Sequence, residues 1–304
     1  MVSRLVRGQV HRAEAEHEEP SGKGVNVCRA LTRNGVESVA VLPLGGDEGV
    51  KLARLLDQER VRYRSVPIAE PVRVNVSLTE PDGLATKVNS PGPLLSKAEV
   101  AALTDALADV VSDGNWVVAS GSLPRGVDSG YYAAVAEVVH AAGARLALDS
   151  SGSALVAGLA GRPDVVKPNI EELEEAVGAR LETMGDVMSA AAVLLGRGAG
   201  TVLVSLGRDG ALLVTDDGVW RGRADVGNPK STIGAGDALL AGFVAAGGTG
   251  PDALAEAVAW GSAAVGEEGS WVPVITDQHR KAVLLTGRPA ADWPLSARAS
   301  DEAD

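Results

Sequence analysis

The sequence predicts an α/β fold, a mostly parallel sheet covered by helices on both faces, with a small β excursion beside it. Three observations lead there. From about residue 24 onward, helical and strand-like patterns alternate. Between residues 62 and 95 that rhythm gives way to short strand-like runs, "YRSVPIAEPVRVNVSLTEPDGLATKV". The core strands also empty into loops of Gly, Ser, Asn and Asp, where sheets of this kind bind ligands.

Taken in order, "GVNVCRALTRNG" is a helix stopped at Asn34-Gly35. "VESVAVLPLGG" is a buried strand running into a Gly-Gly loop, and "DEGVKLARLLDQE" is a helix. Pro81-Asp82-Gly83 turns a hairpin within the 62–95 excursion. Ser96 and Glu99 form a capping box, and Val100, Leu103, Leu107 and Val110 recur on one helical face. "WVVASGSLP" is a strand with a Gly/Ser loop, "YYAAVAEVVHAAG" a helix and "RLALDSS" a strand. "VVKPNIEELEEAV" runs from strand to helix, and "TVLVSLGRDGALLV" is a strand pair turned at Asp209-Gly210. Two Ala-rich helices follow residue 237, and a polar, loosely ordered tail is expected from 287 to 304. The loops at 45–46, 120–126, 149–152, 167–172, 205–210 and 231–237 should share one rim.

The bulk properties narrow the function. With 304 residues, 45% apolar and 22% charged, the chain has room for one large α/β domain. A net charge of −12 excludes a broad nucleic-acid surface but leaves room for a small anion held by local cations and amides. Cys28 is the single cysteine, so it forms no intrachain disulfide. His11, His17, His140 and His279 show no ligand spacing. There is no membrane-length apolar run and no signal-peptide core, so the expected location is the cytoplasm. The G-x-x-x-x-G-K-[ST] phosphate loop, H-E-x-x-H and the protein-kinase motifs are absent.

Chemistry concentrates in "STIGAGDALLAGF". A helix opening near Ala235 aims unpaired N–H groups outward, and Gly234, Ala235 and Gly236 leave them bare for a phosphoryl group. Asp237, in the first turn, is placed to accept a hydroxyl proton beside that group, although an Asp there also simply suits a helix N-terminus. In "SGKGVNV", Gly22 and Gly24 permit close approach, Lys23 adds charge and Asn26 offers an amide; a plain structural turn reads equally well. In "KPNIEEL", Asn169 and Glu172 share a helix face and fit either a hydrated Mg²⁺ or a simple cap.

In order and spacing, "GKGVNVCRAL", "ASGSLPRGV", "VVKPNIEEL", "VSLGRDGALLV" and "STIGAGDALLAGF" resemble the PfkB branch of the ribokinase-like sugar kinases. "RVNVSL", "NSPGP" and "SGSLPRGV" bring the chain nearest to the 1-phosphofructokinases and tagatose-6-phosphate kinases within that family. The likeness implies a three-layer α/β/α domain over residues 1–286, with lid strands at about 3–19 and 62–95. It implies transfer of the ATP γ-phosphoryl to a sugar-phosphate hydroxyl, most naturally fructose 1-phosphate to fructose 1,6-bisphosphate. By the same likeness Asp237 is the base, and Gly234, Ala235 and Gly236 form the anion hole. Asn169 and Glu172 match the metal–phosphate motif for Mg²⁺ through water, with Lys167 nearby. Ser205, Gly207 and Gly210 match a nucleotide-contacting segment. Gly22, Lys23, Asn26, Arg73 and Ser122 match the phosphosugar site, where an Arg can grip a phosphate bidentately. The likeness also allows a homodimer through the lid, and neither a nucleic-acid nor a membrane partner is expected.

The sequence departs from the family in three places. The opening strand with its N-P-x-L-D-like run is not present, so a first core strand is expected to be missing. Ser21 stands where the family has Gly, which raises the question of a positive φ. Ser90 stands where sugar-phosphate kinases often carry Glu. These departures raise an alternative, an N-terminally truncated, non-catalytic paralogue that binds nucleotide or sugar phosphate as a regulator.

Overall fold

The computed structural model describes residue 2 and residues 4–80 and 85–296. The Pro81-Asp82-Gly83 turn and residues 297–304 lie outside the described residues. The chain begins its regular structure with α1 (Lys23–Arg33), β1 (Ala40–Leu44), α2 (Gly46–Gln58) and β2 (Tyr63–Pro67). The strands β3 (Asn75–Thr79) and β4 (Ala85–Asn89) come next, then α3 (Lys97–Ala108), β5 (Trp116–Ser120), α4 (Tyr131–Ala141) and β6 (Arg145–Asp149). They are followed by α5 (Gly152–Gly158), β7 (Val165–Val166), α6 (Ile170–Val177), α7 (Met184–Gly196) and β8 (Val202–Ser205). The last elements are β9 (Ala211–Thr215), β10 (Gly218–Arg223), α8 (Ala235–Ala245), α9 (Gly250–Val265), α10 (Asp277–Lys281) and β11 (Leu284–Thr286).

Three layers follow from the apolar alternation along the strands. Leu146, Leu148, Val202, Val204, Leu212 and Val214 face the helices α4 to α7 in one core. Their neighbours Ala147, Leu203, Ala211 and Leu213 face α1, α8 and α9 in another. Strands that are apolar on both faces need helices on both, which is why these runs read as continuous Val/Leu/Ala.

The main sheet has the order β11-β10-β9-β8-β7-β6-β5. Its β5–β8 half is parallel and its β8–β11 half antiparallel. A parallel pair, β1 and β2, stands apart from it. The helix α1 packs on both β1 and β5, so the two pieces lie beneath one helix. Among the described residues no strand pairs with the remaining edge of β1 or of β5. The parallel half sets the functional rim: Ser120 pairs with Asp149, the Lys167 N–H donates to the Leu148 carbonyl, and Asn169 bridges Ser205.

The lid is smaller than the sequence predicts. It is the antiparallel pair β3–β4, in which Val76 faces Val88. The run at 63–67 instead joins β1, because β1 offers it a parallel edge. Residues 4–19 contain no strand; they are mostly exposed, and the Gln9 N–H donates to the Val6 carbonyl in a local turn rather than to a neighbouring strand. The tail also differs from expectation. Leu295 is fully buried against α7, and the N–H groups of Met184, Gly185 and Leu295 tie residues 291–295 to its start. Ser21 avoids a positive φ, which removes the strain anticipated there. Among the described residues no helix is long and apolar enough to cross a membrane.

Candidate active site

Two helix N-termini meet above the carboxyl ends of β5 to β7. α1 begins after Gly22, whose φ of 132° only Gly adopts without strain. α8 begins after Gly234, with φ 75°, and a Cβ there would come within 2.9 Å of the Ser270 Cβ. Both a left-handed turn and close packing therefore require Gly234. Beyond it, Ala235, Gly236 and Asp237 occupy the first turn; the Ala235 N–H donates to the Thr232 carbonyl at 3.4 Å, and those of Gly236 and Asp237 lack a preceding helical turn to bond to. A Cβ on Gly236 would lie 3.5 Å from Lys167 Nζ, so its absence keeps the space beside that ammonium open.

Asp237 is buried at 7% exposure, and Asn26 Nδ2 donates to its Oδ2 at 2.7 Å. Burial, reinforced by the Asp149 charge, lifts its carboxyl to a pKa of about 6. The Asn26 hydrogen bond and the ammonium groups of Lys167 and Lys23 hold it from rising further. A carboxylate in that range is ionised at neutral pH and basic enough to take a hydroxyl proton.

Around it runs a network of charges. Lys23 Nζ donates to Asp149 Oδ1 at 2.6 Å and to Glu172 Oε1 at 2.9 Å. Burial works against the Lys23 charge, but those two carboxylates outweigh it and hold its pKa well above the ordinary ammonium value. Lys167 Nζ lies 3.2 Å from Asp149 Oδ2, an ion pair without hydrogen-bond alignment. Asn26 Oδ1 and Ser120 Oγ are buried with no hydrogen-bond partner, and buried atoms of that kind call for a donor from a ligand or water.

Asn169 and Glu172 form a reciprocal cap on α6, with Asn169 Oδ1 accepting from the Glu172 N–H and Glu172 Oε2 from the Asn169 N–H. This uses Asn169 Oδ1 and Glu172 Oε2, while Oε1 goes to Lys23. No group of three or more His, Cys, Asp or Glu able to cage a metal exists among the described residues. The donors are hard oxygens, so the pair fits Mg²⁺ reached through its own water shell and not a direct protein cage.

The remaining candidates divide. Ser205 ends β8 on the same rim, and its N–H donates to the Pro168 carbonyl. Gly207 follows with φ 58° and open space around its Cα. At Gly210, by contrast, a Cβ would overlap the Gly222 carbonyl oxygen, so this glycine is required by its contact with β10. Arg73 and Ser122 stand at the outer lip, both exposed, with Arg73 Nη1 donating to Ser122 Oγ at 3.2 Å.

Sequence reasoning missed Asp149 and Ser120. The signal was present in the acid that closes the apolar run "RLALD" at a strand's carboxyl end. What singles Asp149 out is its contact with two lysines more than a hundred positions and eighteen positions away, and spacing does not show such contacts.

Residues 1–277 match the model of the pfkB family carbohydrate kinases. A 1-phosphofructokinase of Rhodobacter capsulatus is 37% identical over 271 residues, 87% of this chain and 85% of its own length. An ATP-dependent 6-phosphofructokinase isozyme 2 of Mycobacterium tuberculosis is 37% identical over 232 residues, 76% of this chain and 68% of its own. Among solved structures, phosphofructokinase-2 from Escherichia coli in complex with potassium superposes with a TM-score of 0.85 at 32% identity, and the match covers 92% of each chain. Nothing in these relatives supports a non-catalytic paralogue.

Proposed function

Because the chain belongs to the PfkB family of carbohydrate kinases and is a phosphotransferase that uses ATP on a sugar phosphate, we propose that its acceptor is fructose 1-phosphate and its product fructose 1,6-bisphosphate. The observation that carries this reading is the buried Asp237 carboxylate, oriented by Asn26 at the head of α8 with Lys167 beside it.

The 6-hydroxyl oxygen attacks the γ-phosphorus of ATP and its proton passes to Asp237. The bond from the γ-phosphorus to the bridging oxygen breaks, and ADP leaves with that oxygen. Amides at Gly234, Ala235 and Gly236, aided by the dipole of α8, stabilise charge on the transferring group. Asn26 Oδ1 and Ser120 Oγ suit sugar hydroxyls, because they are buried and unpaired. Gly22 and the lip pair Arg73–Ser122 belong to the phosphosugar side, the guanidinium meeting the 1-phosphate. Lys167, Ser205 and Gly207 belong to the nucleotide side. Asn169 and Glu172 would hold Mg²⁺ through water, and the ion would supply positive charge that offsets the phosphates of ATP.

The lid strands β3 and β4 are suited to cover the sugar and keep water from competing for the phosphoryl group. Val74, Val76 and Val88 are 53%, 48% and 57% exposed on this hairpin. We assign that apolar face to the lid of a second copy, as a homodimer.

Coupled ADP release with fructose 1-phosphate, fructose 6-phosphate, tagatose 6-phosphate and ribose tests the assignment. The highest kcat/KM is expected for fructose 1-phosphate. A preference for fructose 6-phosphate would reassign the acceptor, and turnover of ribose alone would end the phosphosugar reading.

A further inference from the structure

Asp149 closes β6 with a side chain that is 0% exposed, while neither the sugar side nor the nucleotide side includes it. An isolated buried carboxylate is costly, so its partners explain its presence. Those partners come from two elements. Lys23 is the first residue of α1, and Lys167 lies in the segment between β7 and α6. One carboxylate oxygen meets each ammonium, at 2.6 Å and 3.2 Å.

Lysine carries a compact charge on a flexible stem, and a free one would spread that charge over many rotamers. Tied to Asp149, both charges are confined. Lys167 Nζ is then held beside Gly236, in the first turn of α8. Lys23 Nζ is held beside Glu172, in the first turn of α6. On the kinase reading, the transferring phosphoryl group passes between those two helix heads.

We propose that Asp149 is a positioning residue for phosphoryl transfer, a buried strut that fixes Lys23 and Lys167 on either side of the migrating group. Lys23 therefore serves the transferring phosphoryl rather than the phosphate already on the sugar. This rests on the kinase reading above and adds a role to a residue which that reading leaves idle. Asp149 also sits close enough to raise the Asp237 pKa. The other groups facing this pair are Lys23 and Asn26 from α1, Lys167, Glu172 from α6 and Tyr132 from α4.

The test uses D149N and K23M in the full chain, with ATP, Mg²⁺ and fructose 1-phosphate. D149N should lower kcat by about 100-fold or more, the scale of losing an oriented charge-stabilising group, with both KM values within about fivefold of the parent. The acid limb of its kcat/KM profile should move to lower pH, since a negative neighbour of Asp237 is gone. In the D149N/K23M double variant the two losses should combine to less than their product, because the part of the D149N loss that acts through Lys23 is already gone. A loss confined to KM, an unmoved acid limb or additive losses would overturn the strut. So would full recovery of D149N by raised Mg²⁺, which would make Asp149 a metal ligand. If D149N does not fold, K23M and K167M carry the same test, non-additive losses in kcat supporting the strut and additive ones overturning it. If the parent enzyme turns over none of the sugars, the kinase reading fails by itself. The strut is then judged by thermal unfolding, where the Tm losses of D149N and K23M should combine to less than their sum, and additive losses overturn it.

Discussion

The side-chain amide of Asn26 donates to the carboxylate of Asp237 at 2.7 Å, across the point where the first turns of α1 and α8 meet. This bond joins the two most specific stretches of the sequence, "GKGVNV" and "GAGD", over 211 positions. It leaves Asn26 Oδ1 buried and unpaired, ready for a hydroxyl group.

Asn26→Ala should move the acid limb of kcat/KM upward. In the parent, Asp237 titrates near pH 6 and works as a base only when ionised, so activity falls as pH drops through that value. The Asn26 hydrogen bond favours the charged form, and its loss raises the pKa further. A pH–rate series on both proteins measures this, and an unmoved or lowered limb would contradict it.

Asp237→Asn should stabilise the fold at alkaline pH. Burial and the Asp149 charge favour the protonated form, so the folded pKa lies above the unfolded value of 3.8. The stability due to protonated Asp237 is full below about pH 4 and is lost as pH rises through about 6. Ionising the group in place costs on the order of 3 kcal/mol, which Asn does not incur. Thermal unfolding should show D237N several degrees above the parent at pH 8 and close to it at pH 4. A difference independent of pH would contradict the burial argument.

Arg73→Ala should raise the KM for the phosphosugar by about 10- to 100-fold, the equivalent of a charge-assisted hydrogen-bond pair, and leave the KM for ATP nearly unchanged. Arg73 meets Ser122 at the lip, apart from the Lys23–Asp149–Lys167 network. Initial rates with each substrate varied in turn would show it. A rise confined to the ATP KM would place Arg73 on the wrong side of the site.

Val76→Glu should convert a lid-paired dimer to monomer. Val76 and Val88 are directly paired across the hairpin and exposed, and a charge between two apolar faces opposes their association. Light scattering after size exclusion reads the mass directly. A parent that is monomeric, or a V76E protein that stays dimeric, would remove the lid from the interface.

Much of this site was legible because its residues lie at strand ends, and alternating apolar runs mark those ends well. The loops 120–126, 167–172 and 205–210 were found this way, while Ser122, Lys167 and Ser205 within them were singled out by the family resemblance. Glycine positions were legible as a type but not by purpose. Gly234 and Gly210 look alike in sequence, yet Gly234 opens α8 toward the site and Gly210 makes room for β10. The lid was over-read because "YRSVP" alternates equally well in a lid or at a sheet edge, and the parallel edge of β1 captured it. The order of residues 287–296 was missed because Leu295 is one apolar residue among polar ones and gives no period. Asp149 was missed for the related reason that its importance is a three-body contact.

The most direct measurement is turnover and ATP affinity of D237N at pH 8 with fructose 1-phosphate. Removing the base while the α8 amides and both lysines stay should cut kcat by about 100- to 10,000-fold, with ATP bound as tightly as in the parent. A D237N enzyme within tenfold of the parent kcat would show that Asp237 does not take the hydroxyl proton, and the account built on it would be wrong.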